Sequence, residues 1–232
     1  MKTLVIIPTY NEKENIANII TAVFAQNLGV HILVADDNSP DGTAQIVKSL
    51  QEKFPEQLHL LSRPGKQGLG KAYLAGFKWG IDHGYDALVE MDADFSHRPQ
   101  DLGPLIAKLE QADFAVGSRY VSGGGTVNWG LMRKIISRGG GIYSRLILGF
   151  PLNDWTGGFN AWKKNVLLGI GLENVKSEGY SFQIELKYKA LKKGFVGAES
   201  PIIFEDRRVG HSKMSFKIVI EAFYRVWLMR FS

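Results

Sequence analysis

Thr3-Leu4-Val5-Ile6-Ile7-Pro8 has the length and the mostly apolar character of a buried strand. Glu12–Gln26 follows with apolar residues at helical spacing, and Val30–Ala35 is a second strand-like run. The alternation continues with helices and strands at Gly42–Lys53, Leu58–Leu61, Gly70–His83 and Ala87–Met91. Such alternation predicts an α/β, Rossmann-like fold with a mostly parallel central sheet and helices on both faces. Ligands of these folds bind beyond the carboxyl ends of the strands.

The second half of the chain is less regular. Its predicted elements are a strand, a Gly-rich loop, two helices and a strand, at Phe114–Gly117, Ser122–Gly130, Arg133–Leu148, Phe182–Lys193 and Ala198–Phe204. The last segment, residues 215–232, is an amphipathic helix. Such a helix packs on a protein core more often than on a bilayer, but its Phe, Trp and Arg content favours a membrane interface. We therefore predict one domain over residues 1–214 and a separate interfacial helix over residues 215–232.

Composition limits the chemistry. The 28 basic and 23 acidic residues give a net charge of +5, which favours anionic partners such as nucleotides and phospholipids. The absence of cysteine excludes disulfides, thiol catalysis and cysteine metal ligation. Met1–Pro8 lacks the features of a signal peptide, and charged residues interrupt the apolar stretches Ile142–Phe150 and Phe216–Phe231. We therefore expect a cytoplasmic protein.

Asp92 and Asp94 follow the fourth predicted strand, with the small Ala93 between them. Paired carboxylates together with substrate phosphates are common ligands of Mg²⁺. The alternative is a solvated turn that caps the next helix. Because the first and second predicted strands also end in polar and acidic residues, the context favours a metal site.

Asp36 and Asp37 follow the second predicted strand. An acidic residue at this place in a nucleotide-binding α/β fold accepts hydrogen bonds from the ribose or the base. The alternative is capping, because Ser39–Gly42 is a favourable turn and helix start. We predict that Asp41 caps the helix and that Asp37 binds the ligand.

Gly65–Ala72 has the glycine spacing of a phosphate-binding P-loop and lies between a predicted strand and a predicted helix. Ala72 stands where a P-loop has the Ser or Thr whose hydroxyl coordinates magnesium. A P-loop nucleoside triphosphatase is therefore disfavoured, whereas a Gly-rich loop beside a nucleotide is compatible with the sequence.

Two groups of basic residues lie in the second half of the chain. Arg207, Arg208 and Lys213 surround a glycine after the last predicted strand and suit a diphosphate, although a solvated basic loop is the alternative. Arg119 and Arg133 flank the Gly-rich loop, and Ser137 lies one helical turn after Arg133. Two separate cationic groups predict two anionic ligands.

These motifs together resemble the inverting family 2 glycosyltransferases of the GT-A fold, and within them the dolichyl-phosphate (polyprenyl-phosphate) mannose synthases. The resemblance covers nearly the whole chain and rests on Pro8–Glu12, Asp36–Thr43, Gly68–Tyr73, Met91–His97, Gly117–Tyr120, Arg133–Gly139 and Asp206–Lys213. It implies transfer of mannose from GDP-mannose to a dolichyl-type polyprenyl phosphate, with inversion. The catalytic domain would be residues 1–214, acting as a peripheral protein at the cytoplasmic face of a membrane.

The resemblance also implies roles for individual residues. The residues that contact the nucleotide of the donor are Pro8, Tyr10, Glu12, Ala35, Asp37 and Ala93. Those that hold Mg²⁺ or Mn²⁺ on its diphosphate are Asp92 and Asp94, and those that clamp the diphosphate are Arg207 and Lys213. Those that receive the lipid phosphate are Arg119, Arg133 and Ser137, with Asp92, Asp94 and Arg119 as the catalytic set. The acceptor is already an anion, so no general base is required.

Some features depart from this pattern, and rival functions stay open. Ser96 replaces a Gln of some relatives, and Asp154–Asn160 lacks the arginine of a similar stretch. The expected partners are GDP-mannose, polyprenyl phosphate and a membrane surface, with a membrane protein as a further option and no nucleic acid. The rivals are a family 2 enzyme that uses UDP-glucose or a glycan acceptor, a nucleotidyltransferase that releases pyrophosphate, and a non-catalytic membrane-surface or nucleic-acid-binding module.

Overall fold

The computed structural model describes residues 1–177, 179–205 and 216–231, and for residues 180 and 216–223 it describes the backbone alone. The strands in these ranges are β1 (Thr3–Thr9), β2 (His31–Asp36), β3 (Leu58–Ser62), β4 (Ala87–Glu90), β5 (Phe114–Ser118), β6 (Gly125–Val127), β7 (Asn160–Lys163), β8 (Gly197–Pro201) and β9 (Ile203–Glu205). The α-helices are α1 (Ile16–Phe24), α2 (Thr43–Gln51), α3 (Leu69–Asp82), α4 (Leu102–Ala107), α5 (Leu131–Leu148), α6 (Lys164–Ile170), α7 (Gly179–Lys192) and α8 (Phe216–Phe231).

Seven strands form the central sheet in the order β3-β2-β1-β4-β7-β5-β8. All neighbouring pairs are parallel except those of β7, which is antiparallel to both β4 and β5. Alternate residues of β1 enter different cores: Leu4 and Ile6 pack with residues of α3 and α7, whereas Val5 and Ile7 pack with residues of α1, α2 and α4. Helices therefore cover both faces, and the predicted mostly parallel α/β sheet is confirmed.

Glycines let α3 lie close to the sheet. A Cβ atom placed on Gly76 would lie 2.6 Å from Cγ2 of Ile6, and one on Gly80 would lie 2.5 Å from Cδ2 of Leu88. Such distances are far shorter than van der Waals contact, so larger side chains would push the helix away from β1 and β4. This close packing holds α3 against β1 and β4, and Tyr73 lies one helical turn before Gly76.

The prediction of one strand at Ala198–Phe204 is wrong. The chain leaves the central sheet after β8, passes through the buried Ile202, and continues as β9, which pairs in parallel with β6 in a separate two-stranded sheet. The predicted helix at Glu12–Gln26 begins later, at Ile16, because Asn11 has a φ of 62° and turns the chain after β1. Strands β6 and β7 and helices α4 and α6 are additional to the predicted elements.

The C-terminal helix α8 packs against α5 and α7. Val226 and Met229 are buried in the core that also contains residues of α3 and α7, whereas Tyr224, Trp227 and Phe231 are exposed. Among the described residues, no helix combines the length and hydropathy that crossing a bilayer requires.

A histidine cluster lies at the opposite edge of the sheet from the strand ends that carry carboxylates. The Tyr85 hydroxyl is 2.9 Å from His31 Nδ1 and 3.1 Å from His59 Nε2, and the Lys2 ammonium lies 4.3 Å from the centre of the Tyr85 ring. Burial and Lys2 lower the pKa of His31, while burial and the charge of His31 lower the pKa of His59. Folding therefore favours the neutral rings.

On acidification, the histidines of the unfolded chain bind protons at a higher pH than those of the folded protein. The contribution of this cluster to stability is therefore fully present above the ordinary histidine pKa of 6.5. The contribution is lost as the pH falls from there toward the lower folded values. We expect the free energy of unfolding, measured with urea between about pH 7.5 and pH 5.5, to fall less steeply on acidification in His59→Phe than in the wild type. Lys48→Gln, on the exposed side of α2, is the control. Equal slopes in all three proteins would contradict the assignment.

Candidate active site

The residues predicted to bind the nucleotide and the metal follow β1, β2 and β4 at the carboxyl edge of the sheet. Pro8 lies opposite Ala35 in the parallel register of β1 and β2, and the Asp37 N–H donates to the carbonyl of Thr9 at 3.0 Å. On the other side of β1, the Met91 N–H donates to the carbonyl of Ile6 at 3.1 Å, so the loop after β4 starts at the same edge. Three loops that are far apart in the sequence are thus brought together.

Asp36 and Asp37 have different roles. Asp36 is buried, and its carboxylate accepts hydrogen bonds from the Thr9 hydroxyl at 2.8 Å and from the backbone and hydroxyl of Ser39 at 2.9 and 2.6 Å, so it fixes the turn after β2. Asp37 pairs with the guanidinium of Arg63 and accepts from the Gln67 N–H at 3.3 Å. The Gly-rich loop is therefore held beside Asp37.

Arg63 was absent from the predicted site. It directly follows β3 in the sequence, and its side chain is buried with that of Asp37. The sequence did contain a signal for Arg63, because this basic residue follows a predicted strand next to the one that precedes Asp37. The carboxyl ends of neighbouring parallel strands lie at the same edge of a sheet.

Tyr10 and Glu12 line the same edge. Tyr10 is 36% exposed, and the Lys66 ammonium lies 4.4 Å from the centre of its ring. Glu12 accepts from the Asn15 side chain at 3.0 Å, and its N–H donates to the Thr43 hydroxyl at 3.0 Å. An aromatic face, a carboxylate and a cation beside one another form a suitable surface for a nucleoside.

The loop after β4 holds two carboxylates in fixed positions. The Tyr73 hydroxyl donates to Asp92 Oδ1 at 3.0 Å, and the Asp92 N–H donates to His97 Nδ1 at 3.0 Å. Asp94 Oδ1 accepts a hydrogen bond from the Ser96 N–H at 3.0 Å. This bond comes from the backbone, so it does not depend on which side chain stands at position 96. His97 is buried and stacks on Phe159 with 4.9 Å between ring centres.

Asp92 and Asp94 fit a divalent cation. Within the described part of the chain, no group of three or more histidine and acidic side chains is arranged to hold a metal ion. Mg²⁺ and Mn²⁺ are hard cations that bind proteins through one or two carboxylates and take other oxygens from phosphates or water. Two carboxylates on one loop agree with such a site.

Arg119 forms a buried ion pair with Asp154. Its Nε and Nη2 atoms donate to the two carboxylate oxygens at 2.7 and 2.6 Å, its backbone N–H donates to Oδ2 at 3.0 Å, and Nη2 also donates to the Thr156 hydroxyl at 2.8 Å. Burial alone would raise the pKa of Asp154, but Arg119 and Lys187 hold it below its usual range. The carboxylate is therefore ionised and fixes the plane of the guanidinium.

The loop that carries Asp154 is itself held by a buried lysine. Lys187 Nζ donates to the carbonyls of Asp154, Trp155 and Gly157 at 3.3, 3.1 and 2.7 Å. Burial lowers the pKa of Lys187, and burial raises that of Glu90, the last residue of β4. These supporting residues were missed because their partners lie 30 or more positions away in the sequence.

Asn160 stands in the stretch that lacks the arginine of some relatives, and it faces the interior. Its Nδ2 atom donates to Glu90 at 2.8 Å and to Gln183 at 2.8 Å, and the residue is fully buried. The side chain at this position joins β4, β7 and α7 and is not exposed toward a ligand.

Arg119 and Arg133, predicted together from sequence, are brought to one place. The guanidinium carbon of Arg133 lies 4.1 Å from the centre of the Trp129 ring, and that of Arg119 lies 5.3 Å from it. Ser137 accepts a hydrogen bond of 2.7 Å from the Tyr120 hydroxyl. The predicted diphosphate clamp, Arg207 and Lys213, lies outside the described residues.

The sequence profile of Glycosyl transferase family 2 matches residues 4–170, which contain both the carboxylate loop and the Arg119–Asp154 pair. The chain belongs to this family. As a family 2 glycosyltransferase, it is an enzyme that transfers a sugar, in agreement with the prediction.

Two curated relatives cover almost the whole chain. Polyprenol monophosphomannose synthase of Mycolicibacterium smegmatis is 47% identical over 226 residues, which are 97% of this chain and 85% of the relative. Undecaprenyl-phosphate mannosyltransferase of Micrococcus luteus is 43% identical over 226 residues, which are 97% of this chain and 93% of the relative. These likenesses support the predicted resemblance to polyprenyl-phosphate mannose synthases.

Solved structures confirm the predicted GT-A fold. Glucosyl-3-phosphoglycerate synthase of Mycobacterium tuberculosis, in complex with phosphoglyceric acid, has a TM-score of 0.69 at 17% identity and covers 99% of this chain and 79% of its own. The same enzyme with Mn²⁺, uridine-diphosphate-glucose and phosphoglyceric acid has a TM-score of 0.67 at 18% identity, covering 99% and 79%. At such identities the likeness concerns the fold alone.

The Tyr73 hydroxyl provides a test of the candidate metal site. We expect Tyr73→Phe to weaken Mn²⁺ binding in the presence of GDP by about tenfold, because Asp92 loses the donor that orients its carboxylate. Free Mn²⁺ can be followed by electron paramagnetic resonance. Tyr188→Phe, which removes a hydroxyl from another buried tyrosine, is the control. Equal Mn²⁺ affinities for the wild type and Tyr73→Phe would refute this role.

Proposed function

We propose that this family 2 glycosyltransferase moves mannose from GDP-mannose to a polyprenyl monophosphate, with Mg²⁺ or Mn²⁺ as cofactor and with inversion at the anomeric carbon. The observation that carries the proposal is the 47% identity to a polyprenol monophosphomannose synthase over 97% of the chain. Its second support is the meeting of a carboxylate loop and a pair of arginines at one edge of the sheet.

The donor occupies the side of the site formed by β1, β2 and β4. The residues assigned to the nucleotide are Pro8, Tyr10, Glu12, Ala35, Asp37 and Ala93. Asp92 and Asp94 hold the cation, and a bound Mg²⁺ or Mn²⁺ supplies charge neutralisation for the departing diphosphate. Arg207 and Lys213 are assigned to the same diphosphate. In the Gly-rich loop, Gln67 lies close to Asp37 and Lys66 lies close to Tyr10. The donor side of the site therefore includes this loop.

The acceptor phosphate occupies the side formed by β5 and the start of α5. Arg119, Arg133 and Ser137 bind it, and Asp154 fixes the orientation of Arg119. An oxygen of the acceptor phosphate attacks the anomeric carbon, and the bond from that carbon to the diphosphate oxygen breaks on the opposite face. Because the nucleophile is an anion, the residues contribute by positioning it and by offsetting the repulsion between two phosphates.

A donor comparison tests this function. The purified chain is incubated with labelled GDP-mannose or UDP-glucose, a short polyprenyl phosphate in detergent, and Mg²⁺, Mn²⁺ or a chelator. We expect mannose-labelled lipid that depends on the cation, and a loss of at least about a hundredfold in Asp92→Asn and Asp94→Asn. Asp82→Asn, which changes an exposed carboxylate on α3, is the control.

Glucose-labelled lipid would show that the donor is UDP-glucose and not GDP-mannose. Release of pyrophosphate would identify a nucleotidyltransferase. Nucleotide binding without labelled lipid from either donor would point to another acceptor. Full activity in both aspartate variants would contradict the metal assignment.

We further propose that the enzyme works as a peripheral protein on the cytoplasmic face of a membrane. Helices α5 and α8 carry many exposed apolar side chains, namely Leu131, Met132, Ile135, Ile136, Ile142, Leu146, Tyr224, Trp227, Leu228 and Phe231. The helices that carry them pack against each other, and α5 also contributes the basic residues Lys134, Arg138 and Arg145. Apolar and basic residues on one surface suit an anionic bilayer. The separate status of residues 215–232 stays a prediction.

This membrane surface is testable away from the acceptor arginines. Ile142 and Leu146, which are 53% and 75% exposed, lie one turn apart on α5. We expect the double variant Ile142→Glu/Leu146→Glu to sediment with phosphatidylglycerol-containing vesicles at least about tenfold more weakly than the wild type, because it loses apolar contact and adds negative charge. Leu168→Glu changes a leucine on α6 that is 59% exposed and is the control. Equal loss in the control, or none in the double variant, would contradict this surface.

A further inference from the structure

Trp129 lies where the two acceptor arginines meet. It precedes α5 by two residues, is 8% exposed, and has the guanidinium carbons of Arg133 and Arg119 at 4.1 and 5.3 Å from its ring centre. The ring of Phe204 contacts it edge to face at 5.3 Å. Two guanidinium groups repel each other, and an aromatic ring in contact with both offsets part of that repulsion. The indole therefore spaces the two cations before any anion arrives.

The backbone around Trp129 is held from both sides. Before it, Asn128 has a φ of 61°, a left-handed conformation, and β6 pairs with β9, so that Thr126 lies opposite Phe204. After it, α5 begins with a glycine N-cap, with no side-chain cap and no acidic residue in the first turn. The indole is thus fixed beside the positive end of a helix of 18 residues.

The indole N–H of Trp129 has no hydrogen-bond partner among the described residues. Four buried side-chain atoms share this condition: Trp129 Nε1, Trp155 Nε1, Asn160 Oδ1 and Ser200 Oγ. Of these four residues, Trp129 is the one whose ring contacts Arg119 and Arg133. A buried donor without a partner is costly, and a ligand oxygen is one explanation for keeping it.

We propose that Trp129 is a further residue of the acceptor site, which rests on the function proposed above. Its ring positions Arg119 and Arg133 for one phosphate group, and its Nε1–H donates a hydrogen bond to an oxygen of that phosphate. The acceptor monophosphate is thereby bound by two cations, a neutral donor and the start of α5. The donor nucleotide makes no contact with this residue.

Two substitutions separate the two roles. Trp129→Phe keeps an aromatic ring but removes the N–H, and we expect it to raise the KM for polyprenyl phosphate about tenfold while the KM for GDP-mannose stays within about twofold. Trp129→Leu also removes the ring, so kcat falls as well, because the arginines lose their common contact. Trp79→Phe makes the same change at a tryptophan beside the distant histidine cluster and is expected to keep both KM values.

A binding measurement tests the role of Trp129 without relying on the transfer reaction. Farnesyl phosphate is titrated into the wild type, Trp129→Phe and Trp79→Phe by calorimetry, with farnesol and GDP as separate titrants. We expect Trp129→Phe to bind farnesyl phosphate about tenfold more weakly, with unchanged GDP binding and an unchanged melting temperature. If Trp129→Leu does not fold, Trp129→Phe carries the test.

The outcomes separate this proposal from the proposed function. If farnesyl phosphate binds more weakly to Trp129→Phe but not to Trp79→Phe, the phosphate site is supported. If the wild type in addition transfers no mannose, the assignment of GDP-mannose as the donor is rejected while the phosphate site stands. Unchanged farnesyl phosphate binding in Trp129→Phe would overturn the role of Trp129, whatever the wild type transfers. An equal loss of GDP binding, or an equal loss of farnesol binding, would also overturn it, because the effect would then not concern the phosphate.

Discussion

The buried ion pair between Arg119 and Asp154 is the interaction on which the proposed acceptor half of this site depends. Two side-chain hydrogen bonds of 2.7 and 2.6 Å and one backbone hydrogen bond of 3.0 Å orient the guanidinium. Removing one partner of such a pair typically costs about 3–5 kcal/mol, because the other charge stays buried without compensation. Lys187 in turn fixes the loop of Asp154 through three carbonyls. The position of one arginine is therefore set by residues from two distant parts of the chain.

The two halves of the site are connected through aromatic residues. Phe204 on β9 contacts His97 edge to face at 5.6 Å and Trp129 at 5.3 Å, and it lies 5.5 Å from the guanidinium carbon of Arg119. His97 in turn accepts a hydrogen bond from the backbone of Asp92. A movement of β9 would therefore change the surroundings of the carboxylate loop and of the arginines at the same time.

Local patterns predicted the first half of the fold well, because βα alternation is repeated and each strand there is followed by polar residues. Asp92 and Asp94 were visible as a motif for the same reason. Contacts between distant residues were not visible: nothing in the sequence around Arg119 indicates that Asp154 is its partner, or that Arg63 pairs with Asp37. Strand β7 escaped prediction because Asn160–Lys163 is short and has only two apolar residues, between Asn160 and Lys163. The predicted strand Ala198–Phe204 failed because a single residue, Ile202, separates two strands that belong to different sheets.

Strand β7 also determines the order in which the molecule can assemble. In the described sheet, β5 and β8 are joined to the first four strands through β7 alone. The part from β1 to β4, to which we assign the nucleotide, has all the pairings among its own strands within the first 90 residues, so these pairings can form while the rest of the chain is still being synthesised. Strands β5 and β8 can join them only once residues 160–163 have been synthesised, and Asp154 is made shortly before those residues. During synthesis, the strands that carry the proposed donor site can therefore pair before Arg119 gains Asp154 as its partner.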